Sequence, residues 1–168
     1  MTGTITLIAR TVANTRPNPV PTRPATPEDA EALAQLYYSS YEQGGVSSLE
    51  EARQVVQGVF AGEYGPFLAE ASPVVADEDG TIVAAALTLE RRVGDGELPD
   101  APYLFELFTA ASRRRQGLAE QLVRSSMDTL CHSGYDQLCL RIAEDNAAAL
   151  ALYLTLDFNR WVPEDDDY

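Results

Sequence analysis

The sequence predicts an α/β domain of the α+β type, in which a mixed, mostly antiparallel central sheet carries helices on both faces. The chain has 168 residues, which is enough for one domain and too few to divide easily into two. Its content of 45% hydrophobic and 23% charged residues is typical of a globular protein. Strand-like and helix-like segments follow one another in the order β-α-α-β-β-β-α-β-α-β. This order predicts the mixed sheet.

The first 20 residues are predicted to be an N-terminal arm or an extra strand in front of the domain, which spans residues 21–163. They begin with an alternating stretch, Thr4 to Ile8, and then become polar, with prolines at positions 17, 19 and 21 nearby. We therefore expect either an additional edge strand or a loose arm leading into the domain. Residues 164–168 begin with four acids and predict a solvated acidic tail.

Two helices are predicted next from their start signals and apolar spacing. Thr26 has the character of an N-cap, Pro27 suits the first helical position, and two acids follow. The second helix begins at Ser48, where Glu51 would complete a capping box, and ends near Gly62. The residues expected to point inward are Leu33, Leu36, Tyr37 and Tyr41 in the first helix and Leu49, Ala52, Val55, Val56 and Val59 in the second.

The remaining elements are predicted from apolar runs bounded by turn residues. Strands over 72–76 and 81–90 are joined by a turn over 77–80, which predicts a hairpin. A loop over 91–102 precedes a strand over 103–109, and a helix over 116–130 is ended by Gly134. The chain then predicts a strand over 138–142, a helix over 147–156 and a last strand over 158–162.

The net charge restricts the classes of partner. All twelve basic residues are arginine, 26 residues are acidic, and the net charge is −14. A surface this negative repels phosphate backbones and anionic lipid, so neither nucleic-acid nor membrane partners are expected. Cationic small molecules and basic peptides fit better. The N-terminus lacks a signal-peptide pattern and no apolar run reaches the roughly 18 residues of a membrane span, so a cytoplasmic protein is expected.

Neither a disulfide scaffold nor a metal site is expected. The two cysteines, Cys131 and Cys139, lack the CxxC spacing of a metal or redox site, and His132 is the one histidine. We interpret the cysteines as thiols in a reducing compartment.

The segment 112–119 (SRRRQGLA), between a predicted strand and a predicted helix, is the most informative in the chain. Gly117 lets the backbone approach a ligand closely, and Ala119 keeps a second position small. The first helical turn offers free N–H groups and the positive end of the helix dipole to an anion. With three adjacent arginines these features suit a pyrophosphate, although an arginine-rich helix start can also be a solvated turn. A P-loop and a dinucleotide fingerprint are both absent from the sequence.

A second segment strengthens the phosphate interpretation. Asn146, Ala149, Tyr153 and Phe158 have the spacing Asn-x-x-Ala-x-x-x-Tyr-x-x-x-x-Phe. The segment resembles the second motif of the GNAT N-acetyltransferases, Asn-x-x-Ala-x-x-x-Tyr-x-x-x-Gly-Phe. The earlier Arg-x-x-Gly-x-Ala sequence at 114–119 resembles that family's (Q/R)xxGx(G/A) acetyl-coenzyme A loop. The resemblance covers about residues 21–162 in element order, with motif residues between 103 and 158.

The resemblance implies a GNAT fold, in which the sheet is splayed between the fourth and fifth core strands, with acetyl-CoA as co-substrate and no metal. In that family the strand before the loop separates from its neighbour at a bulge, and the pantetheine arm bonds to the exposed backbone. One backbone N–H can polarise the thioester carbonyl, and the amides of 115–120 would hold the pyrophosphate. The implied cofactor-binding residues are Leu107, Phe108, Thr109, Arg114, Arg115, Gln116, Gly117, Leu118, Ala119, Glu120 and Asn146.

Tyr153 is the implied general acid. By the resemblance it would lie near the sulfur of acetyl-CoA and protonate the leaving thiolate. A phenol can do this because its basicity is comparable to that of the thiol. The alternative is a core aromatic on an apolar helix face. Asn146 also has two interpretations, because it can cap its helix and, in the family, it commonly contacts the cofactor arm.

Two residues depart from the family pattern. Asp157 stands where the family usually has Gly, which affects the geometry of the turn before the last strand. Arg141 stands where ribosomal-protein acetyltransferases of the family carry a Glu used as base, so that role cannot be transferred and that subfamily is not expected. Glu106, on the strand beside the thioester, is our first candidate for the base. One alternative is a water relay that carries the proton to solvent-facing carboxylates. The other is that Glu106 is only an acid that faces outward at a sheet edge.

The expected activity is acetyl transfer to a primary amine of a small molecule or peptide by direct attack, since both cysteines lie outside the motifs. A non-catalytic acyl-CoA-binding or sensor domain of the same fold is the alternative. An interaction domain without a ligand is a third hypothesis. Retention of Tyr153 and of the Gly-x-Ala pair speaks against both. A homodimer is left open.

The acceptor site is expected to lie among the loops 39–47, 62–66 and 91–102. Acids in these loops could attract cations, although the acidity can equally serve solubility alone. The tyrosines considered for the lining are Tyr37, Tyr38, Tyr41 and Tyr64, and the acids are Glu42, Glu63, Glu97 and Asp100.

Overall fold

In the computed structural model, which describes residues 3–14, 19–40 and 46–163, seven strands form one sheet in the order β2-β3-β4-β5-β6-β1-β7. Every neighbouring pair is antiparallel except β5 and β6, which are parallel. The predicted mixed, mostly antiparallel sheet is confirmed. The strands are β1 (Thr4–Arg10), β2 (Arg23–Pro24), β3 (Pro73–Ala76), β4 (Ile82–Leu89), β5 (Tyr103–Thr109), β6 (Gln137–Ala143) and β7 (Asn159–Trp161), and the helices are α1 (Ala30–Ser40), α2 (Leu49–Ala61), α3 (Leu118–His132) and α4 (Ala147–Thr155).

β1 is an extra strand, which was one of the two alternatives expected for the N-terminal segment, but it lies inside the sheet and not at its edge. It pairs with β6 along its whole length and with β7 on its other side. Leu7 and Ala9 are buried, whereas β7 has three residues, all exposed or half-buried. A short polar strand suits a sheet edge, and the longer apolar strand therefore lies inside it. The predicted acidic tail, 164–168, lies outside the described residues.

Each face of the sheet has its own apolar core. On one face α3 packs over the sheet, with Leu122 and Leu130 fully buried, and α4 contributes Tyr153. On the other face α1 and α2 bury Leu33 and Val56 against the sheet. β4 is buried at all eight positions because it lies between the two cores. Helices on both faces, as predicted, are confirmed.

The predicted start of the first helix is confirmed. Thr26 is the N-cap of a 3-10 turn over Pro27–Asp29 that leads into α1, and its backbone N–H donates to the Asp29 carboxylate at 2.8 Å. Tyr41, predicted to point inward from this helix, lies outside the described residues.

α2 begins and ends where the sequence predicts, but its capping box differs. The Ser48 side chain accepts a hydrogen bond from the Glu51 N–H at 3.0 Å. The Glu51 carboxylate accepts from the N–H of Ser47 at 2.9 Å and not from Ser48, so the reciprocal half of the box is displaced by one residue. Gly62 ends the helix in the left-handed region at φ 82°.

β5 and β6 meet at one end and then diverge. Their register has one pair, Tyr103 opposite Cys139, and beyond it the two strands have no further paired residues among those described. On its other side β5 pairs with β4 throughout, except at Phe105, which has no partner and forms a bulge. The splayed sheet implied by the family resemblance is therefore present, and it opens a gap in the middle of the sheet.

Candidate active site

A cavity of about 910 Å³ occupies the gap between β5 and β6. Its walls are residues 104–109 of β5 and 140–143 of β6, and α4 lies along one side. Both candidate catalytic side chains, Glu106 and Tyr153, line it. The splay therefore brings together two residues that are 47 positions apart in the chain.

The loop before α3 forms a second cavity, of about 350 Å³, that shares Thr109 and Ala119 with the first. Arg115 and Gly117 both have positive φ, 66° and 76°. Gly117 is the N-cap of α3, and its carbonyl accepts the first helical bond from Gln121. The N–H groups of the first helical turn, residues 118–120, therefore have no partner within the helix and are available to an anion.

The space in front of Gly117 is open. A Cβ at this position would meet no protein atom within 4 Å. Its left-handed φ is a conformation that side chains rarely adopt. The loop thus has the free N–H groups, the cleared space and the adjacent arginines that a pyrophosphate group requires. The sequence predicts that α3 begins at Gln116. It begins instead at Leu118, because the chain is still turning at Gly117.

The side chains of the loop lie in three directions. The Arg114 guanidinium donates to the carbonyl of Ser40, at the C-terminal end of α1. Arg113 lies 3.7 Å from the Asp77 carboxylate. Gln116 lines a different cavity, together with residues 75–79. All of the predicted cofactor-binding residues except Gln116 line one of the two adjoining cavities.

Tyr153 is held by the turn that ends α4. The Phe158 N–H donates to the Tyr153 carbonyl at 3.0 Å and the Asp157 N–H donates to the Leu154 carbonyl at 3.1 Å, which is a Schellman motif. The rings of Tyr153 and Phe158 pack edge to face at 5.3 Å. Asp157 occupies the left-handed position at φ 67°. The turn is retained without the glycine, and the Tyr-x-x-x-Gly-Phe motif has a physical basis in this cap.

Asp157 gives a direct prediction for stability. A non-glycine residue in the left-handed region costs about 1 kcal/mol, and somewhat less for Asp. Asp157→Gly is expected to raise the free energy of unfolding by about 0.5 kcal/mol, after the larger chain entropy of Gly is subtracted. Asp157→Ala, the control, is expected to lower it. Denaturant unfolding of the three proteins is the measurement, and equal stability of the Gly and Ala variants would contradict the explanation.

The Tyr153 hydroxyl is kept protonated by its surroundings. The residue is 6% exposed. Burial raises the pKa of the hydroxyl, and the negative charge of Glu106 raises it further. A phenol is already protonated at neutral pH, and the raised pKa extends to higher pH the range over which Tyr153 can donate a proton.

Glu106 has a buried tyrosine partner on α1. Tyr37 is 6% exposed, and its ring packs against Phe108 at 5.0 Å. Burial raises the pKa of Tyr37, and the charge of Glu106 and a hydrogen bond to it raise the pKa further. Glu106 therefore lies in the cavity within electrostatic reach of tyrosines from α1 and α4 and is not an acid facing outward at a sheet edge.

Asn146 caps α4. Its side-chain oxygen accepts from the Ala149 N–H at 3.1 Å, and the residue lines the β5–β6 cavity. The cap interpretation is thus confirmed, and the cavity position is compatible with a second contact to a ligand.

A family comparison identifies this architecture. The sequence model of the Acetyltransferase (GNAT) family matches residues 30–158, which include both cavities. The chain belongs to the GNAT acetyltransferase family. The match includes the splayed strands, the loop before α3 and Tyr153. No curated protein matches the chain.

Solved GNAT structures have the same fold at low identity. The ribosomal-protein-S18-alanine N-acetyltransferase of Escherichia coli is 23% identical with a TM-score of 0.66, over 84% of this chain and 79% of that one. An aminoglycoside 6'-N-acetyltransferase of Acinetobacter haemolyticus is 17% identical with a TM-score of 0.60, over 88% of this chain and 100% of that one. A GCN5-related N-acetyltransferase of Sphaerobacter thermophilus is 16% identical with a TM-score of 0.65, over 94% of this chain. This chain spans about half of that protein, 48% of its length.

The loops expected to surround the acceptor in this GNAT chain are described in part. Tyr64 packs against the bulge residue Phe105 with ring centroids 4.8 Å apart, and Phe105 lines the cavity. Tyr38 is 46% exposed and does not line it. Tyr41 and Glu42 lie outside the described residues.

Phe105, Ser40 and Arg141 also line the GNAT cavity and were not among the candidate site residues. The sequence carries no signal for the first two. Arg141 was singled out only because it replaces a family glutamate, and nothing in the local sequence indicates its partners.

Neither a metal-ion cluster nor a membrane-spanning helix is found among the described residues. They contain no cluster of three or more His, Cys, Asp or Glu side chains that could hold a metal ion. None of the helices between residues 3 and 163 that the structure describes is long and apolar enough to cross a membrane.

Proposed function

We propose that the chain transfers an acetyl group from acetyl-CoA to a primary amine by direct attack in the β5–β6 cavity. The observation that carries this proposal is the presence of Glu106 and Tyr153 in one cavity that continues to the free N–H groups at the start of α3. Binding, proton removal and proton donation are the three tasks of the reaction, and this arrangement supplies a group for each.

The binding task falls to the loop and the splayed strands. The N–H groups of residues 118–120 and the positive end of the α3 dipole would bind the pyrophosphate, with Arg115 beside them. The backbone of β5 that faces the gap has no strand partner among the described residues beyond Tyr103. Such backbone groups can bond to the amide groups of the pantetheine arm and hold the developing oxyanion.

The chemical task needs a base and an acid on the two sides of the thioester. An ammonium cannot attack, so Glu106 removes its proton directly or through one water. The amine nitrogen then forms the C–N bond as the C–S bond breaks. Tyr153 donates its proton to the thiolate, and the products are an acetamide and coenzyme A with a free thiol. Two protons leave the nitrogen: Glu106 takes the first from the ammonium and passes it to solvent, and the second is lost as the amide forms. Tyr153 gives one proton to the sulfur and regains one from the nitrogen through solvent, so one proton is released in each turnover.

We propose a cationic acceptor, either a small amine or the terminus of a basic peptide. The chain carries a net charge of −14. Exposed acids such as Glu63, Glu97 and Asp100 lie in the loops expected to surround the acceptor. This field would raise the local concentration of cations and speed their approach, and the effect weakens as salt screens it.

A panel of acceptors tests the proposed function. Polyamines, basic peptides, neutral amines and acidic amines are each mixed with the protein and acetyl-CoA at low and high salt, and free thiol release is followed. The cationic amines are expected to react fastest, and their advantage should shrink as salt is added. A preference for acidic amines, or rates that do not respond to salt, would contradict the cationic acceptor. Acetyl-CoA binding without thiol release from any amine would favour the non-catalytic acyl-CoA-binding domain.

A further inference from the structure

Arg141 lies on the wall of the cavity opposite Glu106. It is on β6, two residues from Cys139, which belongs to the core under α1 and α2. Alternate residues of a strand share a face, so Arg141 projects to the same side of the sheet as that core. The residue opposite Arg141 on the neighbouring strand β1 is Thr6, and the Thr6 hydroxyl accepts a hydrogen bond from Arg141 Nε at 3.1 Å. Thr6 thus fixes the base of the guanidinium.

The rest of the guanidinium is bonded to the loop between β4 and β5. One terminal nitrogen donates to the Asp95 carbonyl at 2.6 Å and lies 3.0 Å from the Asp95 carboxylate. The other donates to the Glu97 carbonyl at 3.0 Å. An arginine has a rigid fork of five N–H donors, so one side chain can join β1, β6 and this loop at once.

The loop needs such an anchor because its own backbone is costly to order. Gly94 and Gly96, on either side of Asp95, have φ of 76° and 75°. Glycines lose more conformational entropy than other residues when they are fixed. The entry to the loop is held separately, because the Val93 N–H donates to the Tyr64 carbonyl at 2.8 Å. The two carbonyl bonds from Arg141 hold the turn that follows.

We propose that Arg141 is a positioning residue that holds the 91–102 loop beside the acceptor side of the cavity. No described residue of the loop lines the cavity itself, but the loop contacts two residues that do, because Asp95 is bonded to Arg141 and Arg92 lies 5.2 Å from the ring of Phe105. Arg141 stands where the family resemblance implies a glutamate base in one subfamily, and a guanidinium has no acceptor for the proton of the amine. Its contribution is to acceptor affinity, through the position of the loop beside the cavity. Acetyl-CoA is bound by other residues, at the start of α3. The acceptor half of this inference rests on the proposed function, whereas the anchoring of the loop does not.

The test compares Arg141→Ala with Arg53→Ala. Arg53, on α2, is a matched control, because its guanidinium also joins two elements, through bonds to Glu31 of α1 at 2.9 and 2.8 Å, whereas α2 lines neither cavity. Amide hydrogen exchange of residues 94–97 is measured on the protein without substrates. Steady-state kinetics then use the amine that the wild-type protein acetylates fastest. Arg141→Ala is expected to speed exchange in the loop and to raise the KM for the amine about ten-fold or more. The KM for acetyl-CoA and kcat should stay within about three-fold, and Arg53→Ala should resemble the wild type.

Arg141→Lys provides a second variant if the alanine protein folds poorly. Lysine keeps the charge but lacks the fork, so it is expected to restore only part of the exchange protection and of the amine affinity. Unchanged loop exchange in both variants would overturn the anchoring. Faster exchange with an unchanged KM for the amine would overturn the role of the loop in acceptor binding. A wild-type protein that acetylates no amine would overturn the proposed function and, with it, the acceptor half of this inference. The exchange difference would still decide whether Arg141 anchors the loop.

Discussion

Replacing Gly117 by Glu is expected to abolish acetyl-CoA binding. The wild-type protein should bind acetyl-CoA with a dissociation constant in the micromolar range, about −8 kcal/mol. Because the space in front of Gly117 is open to the loop cavity, a glutamate side chain would place its bulk and its charge where the pyrophosphate must lie. Isothermal titration calorimetry should show affinity weakened by at least about 100-fold, or about 2.7 kcal/mol.

Gly134→Glu is the matched control for this variant. Gly134 follows the other end of the same helix, has a positive φ of 91° and would also present a Cβ to open space. Both variants therefore suffer a similar backbone strain, of the order of 1 kcal/mol, and gain the same charge. Only Gly117→Glu should lose binding. Equal affinities in the two variants would remove the loop before α3 from the acetyl-CoA site.

Tyr153→Phe is expected to lower turnover by roughly 100-fold while leaving acetyl-CoA affinity unchanged. The phenylalanine ring keeps the edge-to-face contact with Phe158 and the cap of α4, so the turn should survive. What is lost is the proton for the leaving thiolate. Steady-state kinetics with a reactive amine and calorimetry with acetyl-CoA separate the two effects.

Tyr103→Phe is the control for the loss of a buried phenol. Tyr103 is also 6% exposed, burial raises its pKa to about 12, and it does not line the cavity. Its substitution should leave turnover within about two-fold of wild type. The raised pKa of Tyr153 also means that the acid stays protonated up to about pH 10. A fall in wild-type kcat as the pH is raised from neutrality toward 10, or turnover of Tyr153→Phe within a factor of about two, would assign protonation to another group.

The parts of the fold that could be predicted from sequence are those encoded by local chemistry. Thr26, Ser48 and Gly62 mark helix ends because cap residues satisfy backbone groups within a few positions of themselves. The loop before α3 and the Asn146 cap are local in the same sense. These segments carried the family resemblance, and with it the predicted splay and the position of Tyr153.

The parts that could not be predicted depend on partners far away in the chain. β1 was expected at an edge of the sheet. The residues of β1 do not show that another strand, β7 (Asn159–Trp161), is too short and polar for the inner position. β2 is two residues long and exists only through its pairing with β3. The bonds of Arg141 to Asp95 and Glu97 join segments more than 40 residues apart. No periodicity or spacing in the sequence reports such contacts.

We propose that acetyl-CoA binds in the gap between β5 and β6, with its pyrophosphate at the start of α3. Amide hydrogen exchange with and without acetyl-CoA tests this without any knowledge of the acceptor. Exchange is expected to slow at residues 106–109 and 118–120 in the presence of acetyl-CoA, with α2 and β7 unchanged because neither lines the two cavities. Protection confined to other segments, or no protection at saturating acetyl-CoA, would contradict it.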